Sequence, residues 1–327
     1  SVDNAGNQYA SFYFLNEIKF DTIYLKNYNN FQKCLVVKQN SDGKVLWRKV
    51  VQGTTQSAYA LASRFNNKGN LLVFIASTSD LKVGPDTVKR KGSSGSTYAY
   101  FLLEFSDTGK FINGTHLIDG SLVNLSYNAN KITSDKSDNL YFCLAYTGQV
   151  KVYDSTGTTN IGSSTSGSRN MILKFANSGK NYKWNSTLPY SNVIVNSLKV
   201  DIHENVYVVG YWTGLSAISF KGKSLSNPQS GTGAVFIWDK NGNDKQFFYV
   251  KASDKVSTLS DITVYDSNSV FISGAYQGDS ALFDTVWKKN KKFGAYLFFA
   301  KYDINGKLKW VKIEDTTYST VVYPYNY

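Results

Sequence analysis

The chain has 327 residues, 42% hydrophobic and 18% charged, with a net charge of +12. That balance excludes a disordered or low-complexity chain and leaves room for one large domain or two ordinary ones. Two cysteines are too few for a disulfide framework, and no apolar run of about 18 residues is present, so no transmembrane segment is expected.

Aromatic residues make up 15% of the chain, beside four prolines and one methionine. With many Val, Ile and Thr residues and no helical spacing, this composition favours strands. The strand-like runs repeat. Anchors at Asn7, Asn70, Asn139, Asn205 and Ser269 head GNQYASF, GNLLVFIA, DNLYFCLAYTG, ENVYVVGYW and NSVFISGAY. A glycine turn follows each anchor, at Gly43, Gly109, Gly179, Gly242 and Gly306, and is clearest in YDINGKLKW. Both series recur at roughly 63–70 residues, the spacing of a structural repeat. The expected units are 1–56 completed by 318–327, then 57–122, 123–192, 193–256 and 257–317.

Each unit reads as four strands, a to d. The first begins at its a–b turn, so strand b comes first, followed by c at CLVVK and d at KVLW. The second has strand a at YALA, c at YFLLEF and d at KFIN; the third has c at MILKF and d at NYKW. The fourth has a at LKV, c at AVFIW and d at KQFF; the fifth has a at DITV, c at AYLFFAKY and d at KLKW. Asp3, Asn66, Asp135, Asp201 and Asp266 recur at the a–b turn, where short polar side chains bond to nearby backbone. Glycine at each c–d turn supplies a positive φ. The tail TTYSTVVYPYNY matches a strand a, so Val321–Tyr323 is expected to complete the first blade. Strands b and c are nearly continuous apolar runs, as in sheets covered on both faces. Radial stacking of four-stranded antiparallel sheets is a β-propeller, here with five blades in one domain. Cys34 in CLVV and Cys143 in YFCLAY read as buried free thiols.

The segments ENVYVVGYWTGLSAISF with FIWDKNGN, and SVFISGAYQGDSALF with FFAKYDINGKLKW, resemble the bacterial β-propeller repeat known as SBBP. The second unit departs from that pattern: it lacks the Gly-aromatic step and a Trp in strand d. The resemblance implies a secreted or surface protein and brings no catalytic residues.

Lysine and arginine cluster between strands b and c: Lys89, Arg90 and Lys91; Lys221 and Lys223; and Lys288, Lys289, Lys291 and Lys292, preceded by Trp287. Equivalent connections of a propeller emerge on one face, so these charges and one aromatic could bind an anionic glycan or an acidic protein. Solvated lysines that blunt strand edges are the bland alternative. No nucleic-acid-binding motif accompanies the charge. The same b–c segments carry Phe20, Ile23, Tyr24, Ile218, Phe220, Phe283, Val286 and Trp287, which on protruding hairpins would form a self-association surface.

Catalytic signals are weaker. Two histidines, His116 and His203, lie in different units and do not make a metal or nucleophile constellation. Asp135, Asp201, Glu204, Asp261 and Asp266 fall near the presumed inner strands, where a glycoside hydrolase would hold paired acids, but three of them occupy the repeated turn position. Asp239–Asn243 resembles part of a calcium loop without its terminal acid. Sequons stand at Asn113, Asn124 and Asn185. The leading expectation is a non-enzymatic extracellular or cell-surface module, without cofactor or metal, that binds a glycan or protein or assembles with itself. A glycoside hydrolase or lyase at the central axis is the enzymatic alternative.

Overall fold

Among the described residues, every regular element is a β-strand, as the Val, Ile and aromatic runs require. The computed structural model describes residues 1–327 apart from 4, 21–22, 29, 93–97, 122–130, 189–192, 213–216, 226–230, 254–256, 267 and 316–327. Of Phe20, Ile23, Lys223 and Lys291 it describes only the backbone.

The second to fifth units are antiparallel meanders with the predicted strand order. Ala58–Phe65, Leu71–Ser77, Tyr98–Phe105 and Phe111–Ser121 pair in sequence. So do Ile132–Ser134, Leu140–Tyr153, Thr158–Ala176 and Asn181–Thr187. The fourth unit is Val193–Val200, Val206–Trp212, Thr232–Trp238 and Asp244–Ala252. The fifth is Ser257–Asp266, Ser269–Phe283, Val286–Tyr302 and Leu308–Asp315. In the first unit, Gln8–Phe14, Lys33–Gln39 and Val45–Gly53 form strands b, c and d. Its expected strand a, Val321–Tyr323, lies outside the described residues.

The b–c segments differ from the expectation of free hairpins. In three units they pair with the last strand of the preceding unit: Val51 opposes Val83, Ile118 opposes Val152, and Val250 opposes Phe283. A strand edge left bare by strand d is thereby covered. The pairing joins neighbouring units into larger sheets, which curl into half-barrels. Side chains assigned to a contact surface are buried too, Phe283 where this pairing forms and Ile218 and Phe220 where their own two-stranded hairpin folds onto the fourth unit. Ile218, Phe220 and Phe283 lie in the core, whereas Tyr24, Val286 and Trp287 are exposed.

Four large hydrophobic cores sit between consecutive units, and a smaller one, around Phe14, Leu35 and Val37, lies within the first. Cys34 and Val36 of the first pack with Val73 and Phe101 of the second. Phe74 and Leu102 pack with Phe142 and Phe175 of the third. Tyr141 and Ile172 pack with Val208 and Phe236 of the fourth. Tyr207 and Val235 pack with Ile272 and Phe298 of the fifth. Strands b and c of the inner units are therefore covered on both faces, which is why they are apolar throughout. The fifth unit departs from this: one face of its strand c is open, with Leu297 and Phe299 51% and 59% exposed.

The glycine turns contribute to these seams. Gly109 and Gly242 have φ of +78° and +83°, a region glycine enters without steric cost. Each also lies flat on a tryptophan of the preceding unit. A β-carbon at Gly109 would sit 2.6 Å from Trp47, and one at Gly242 would sit 2.7 Å from Trp184. Both cysteines are buried and unpaired, as expected.

Candidate functional site

One hydrogen-bond device builds three of the a–b turns. One carboxylate oxygen of Asp3, Asp135 and Asp201 accepts the backbone N–H groups two and four residues on. The other accepts the amide of Asn7, Asn139 or Asn205 and the phenol of Tyr9, Tyr141 or Tyr207. Asp-x-x-x-Asn-x-Tyr is thus one structural motif. Burial, followed by the nearby carboxylate, pushes Tyr141 and Tyr207 above the ordinary phenol range, so both remain O–H donors. The Asn7 amide leads the bonds that hold Asp3 down to about 2. Asn66 closes the equivalent turn with its own side-chain oxygen.

These turns meet at one end of the strands. A cavity of about 470 Å³ is lined by Phe65 and Asn67 of the second unit, Asp135 and Lys136 of the third, Asp201 and Ile202 of the fourth, and Tyr265 and Asp266 of the fifth. Four successive units thus share one opening. Its acids are the repeated ones. Asp135 and Asp201 each accept four hydrogen bonds from their own turns. Asp266 accepts the Asn268 N–H, and that bond leads the causes that lower its pKa. A glycosidase acid needs a raised pKa and a partner carboxylate across the substrate; Asp266 is shifted the other way. The remaining lining is aromatic, aliphatic, amide and ammonium, which suits binding of a polar ligand.

The basic clusters stand on different hairpins. Lys89 is exposed and pairs with Asp80 at 3.0 Å. Arg90 is buried and bonds to Asp119 at 2.8 Å, so it clamps the fold rather than facing a ligand. Lys91 is exposed, but its backbone N–H donates to His116 Nδ1 at 2.9 Å. Lys221 is exposed at a hairpin tip with φ +52°. The Lys223 and Lys291 side chains lie outside the described residues. Trp287, Lys288, Lys289 and Lys292 are all exposed on the long hairpin of the fifth unit, with Val286 and Phe293 beside them. Among the described residues, this strip is where the expected aromatic and basic side chains stand together and open.

Sequence reasoning missed the role of His116. Its ring is buried between Phe101 and Tyr153, with Nε2 3.3 Å from Asp119. Burial raises the Asp119 carboxyl, but His116, Tyr153 and Arg90 outweigh it and leave it below its ordinary range. The cluster closes the seam between the second and third units; nothing in the one-dimensional spacing of these residues signals it. His203 is exposed and donates its N–H to Asp201. In the calcium-like segment, Asp239 accepts two backbone N–H groups and the Asn243 amide, which makes it a turn-former. Among the described residues, no group of three His, Cys, Asp or Glu converges as a metal site. Asn185 is half-buried against Tyr182 and Ile161, and Asn124 lies outside the described residues.

No protein-family model matches this chain, and no curated protein matches it.

Proposed function

We propose that the five units are the blades of a single-domain, propeller-type array of the kind the SBBP resemblance implies, left open between the fifth blade and the first. We propose further that it works as a non-enzymatic module at or beyond the cell surface, binding an anionic glycan. Two features support the radial arrangement: the four large cores each lie between consecutive units, and the turns of four units line one opening. The observation that carries the function is the strip Trp287, Lys288, Lys289 and Lys292 on the fifth unit. Trp287 is 49% exposed, so its ring can stack on a sugar face while the ammonium groups meet sulfate or carboxylate.

A glycan array at two salt concentrations tests this reading. Binding should be confined to acidic glycans and should fall as salt screens the exposed lysines. Trp287→Ala should weaken it about tenfold, and a Lys288→Glu, Lys289→Glu, Lys292→Glu variant should abolish it. Salt-independent binding to neutral glycans, or full binding by the triple variant, would rule the strip out. Glycan cleavage lost on Asp266→Asn would establish the enzymatic alternative instead.

A further inference from the structure

The first, third and fifth units carry the same three-strand constellation on the same face. Tyr9, Lys38 and Trp47 are register partners across strands b, c and d of the first unit. Tyr141, Lys174 and Trp184 occupy the equivalent places in the third, and Phe271, Lys301 and Trp310 in the fifth. The geometry repeats as well. The ammonium lies 5.0, 5.3 and 5.3 Å from the strand b ring. The two rings are 6.0, 6.4 and 6.2 Å apart.

In two cases the constellation holds a glycine turn. Trp47 Nε1 donates to the Asp107 carbonyl at 2.7 Å, and Lys38 pairs with the Asp107 carboxylate. Trp184 Nε1 donates to the Lys240 carbonyl at 2.9 Å, and Lys174 pairs with Glu204 of the same unit. In both, the glycine of the gripped turn lies against the indole, where a β-carbon would not fit. Among the described residues, the third constellation holds no such turn. Trp310 is 46% exposed, with Leu297 and Phe299 open beside it. At the other end of the chain, Asn40–Gly43 is the exposed turn. A β-carbon on Gly43 would meet nothing within 4 Å, whereas Gly109, Gly179 and Gly306 are buried. Strand packing runs from the first unit through to the fifth, and no comparable packing joins the fifth to the first among the described residues.

Among the described residues, the fifth unit therefore carries an unfilled grip and the first unit an ungripped turn of the kind such a grip holds. We propose that Phe271, Lys301 and Trp310 bind the Asn40–Gly43 turn of a second copy of this chain, giving head-to-tail assembly. Trp310 Nε1 would donate to the Ser41 carbonyl, the counterpart of Asp107 and Lys240. Gly43 would lie on the indole, and Asp42 would place a carboxylate near Lys301. The two surfaces are different, so the contact is heterologous and each added copy presents a new grip.

The test uses the full chain and two variants. Trp310→Ala removes the grip and keeps the turn. Gly43→Asn keeps the grip and gives the turn a β-carbon, with a residue that tolerates positive φ. Both positions are exposed, and circular dichroism verifies folding; Lys301→Glu is the second grip variant if Trp310→Ala fails to fold. By light scattering across a concentration series, wild type should form oligomers beyond the dimer. Each variant alone should associate at least about tenfold more weakly. An equimolar mixture of Trp310→Ala and Gly43→Asn should give a 1:1 dimer and nothing larger, because only one productive contact remains. The proposal is overturned if wild type stays monomeric with Trp310 shielded from quencher, which is closure on its own turn. It is equally overturned if the variants associate like wild type, or if their mixture yields no dimer.

Discussion

Gly109→Ala and Gly43→Ala form a matched pair that isolates the seam from the turn. Both glycines sit at nearly the same backbone angle, φ +78° and +81°, so alanine costs each about 1 kcal/mol of left-handed strain. At Gly43 nothing else changes, because its β-carbon points into open space. At Gly109 that carbon would lie 2.6, 2.9 and 3.0 Å from three indole atoms of Trp47. A ring pinned on its own sheet cannot yield as a flexible chain end would, so Trp47 must tilt. Its hydrogen bond to the Asp107 carbonyl then goes, at about 1 kcal/mol, with its edge contact to Tyr9, at about 0.5–1 kcal/mol. The expected totals are about 1 kcal/mol for Gly43→Ala and about 3 kcal/mol for Gly109→Ala. Denaturant unfolding in dilute solution, where copies do not associate, reads both from midpoint shifts at an unchanged slope. Costs that agree within about 0.5 kcal/mol would refute the reasoning, because the glycine would then serve the turn angle alone.

Asp201→Ala should destabilise by about 3 kcal/mol, since it leaves Asn205 and Tyr207 without their buried acceptor; the same substitution at the more exposed Asp266 should cost under about 1 kcal/mol. Acid should unfold the chain. Asp107, held low first by the hydrogen bond from Lys38, and Asp119 have depressed folded pKa values, so their contribution is complete above about pH 4 and lost as pH falls through those values. Alkali should act in the opposite sense. Burial pushes Tyr153 and Cys143 up to about 12, so stability is complete below about pH 9 and declines as pH rises toward those values; pH-dependent denaturant midpoints check both limbs. Cys34 and Cys143 should resist a thiol reagent in the folded chain and react together once it unfolds, as buried thiols whose charged forms are disfavoured.

Strand order and turn positions were legible because each rests on local chemistry that repeats. An Asx residue followed four residues later by Asn closes the a–b turn at Asp3, Asn66, Asp135 and Asp201, and glycine enters positive φ regardless of neighbours. The long apolar runs around Cys34, Phe101 and Phe236 were legible for a related reason: a strand buried on both faces has no polar side to interrupt it. Partnership between units was not legible. Nothing near Arg90 in the chain signals that it will meet Asp119, so it counted as surface charge. Phe283 read as an exposed hairpin tip because pairing with the preceding unit depends on how the sheets stack, and Ile218 because the folding of its hairpin onto its own unit is not written in the local pattern. The strip around Trp287 stayed open in the structure for the complementary reason. It lies on the outer strand of the last hairpin while the inner strand takes the pairing: Leu282 and Ala281 oppose Lys251 and Ala252 on one side and Trp287 and Lys288 on the other, and no described strand pairs with the strip's outer edge.

The seams alternate in kind, and the alternation explains why the repeat is so uneven by eye. The odd-numbered units place an aromatic, a lysine and a tryptophan in register across strands b, c and d. The second unit has Leu72, Glu104 and Asn113 there, and the fourth has Tyr207, Ile237 and Gln246. Those even faces use other contacts. Glu104 takes the amides of Asn66 and Asn70 within its own unit, while Phe248 stacks on Tyr302 of the next at 4.7 Å. A seam therefore constrains one face of each partner, and the two faces of a unit vary independently. Strict identity between units is not required; complementarity between the end of one and the start of the next is. By that criterion the fifth unit is the informative one, since its odd-type face is intact and holds no turn among the described residues. If the face served only local stability, its tryptophan and lysine would have no reason to keep the spacing of the two filled grips. The complementary partner they imply is the first unit's turn, and the mixed-variant dimer decides whether it is supplied by another copy.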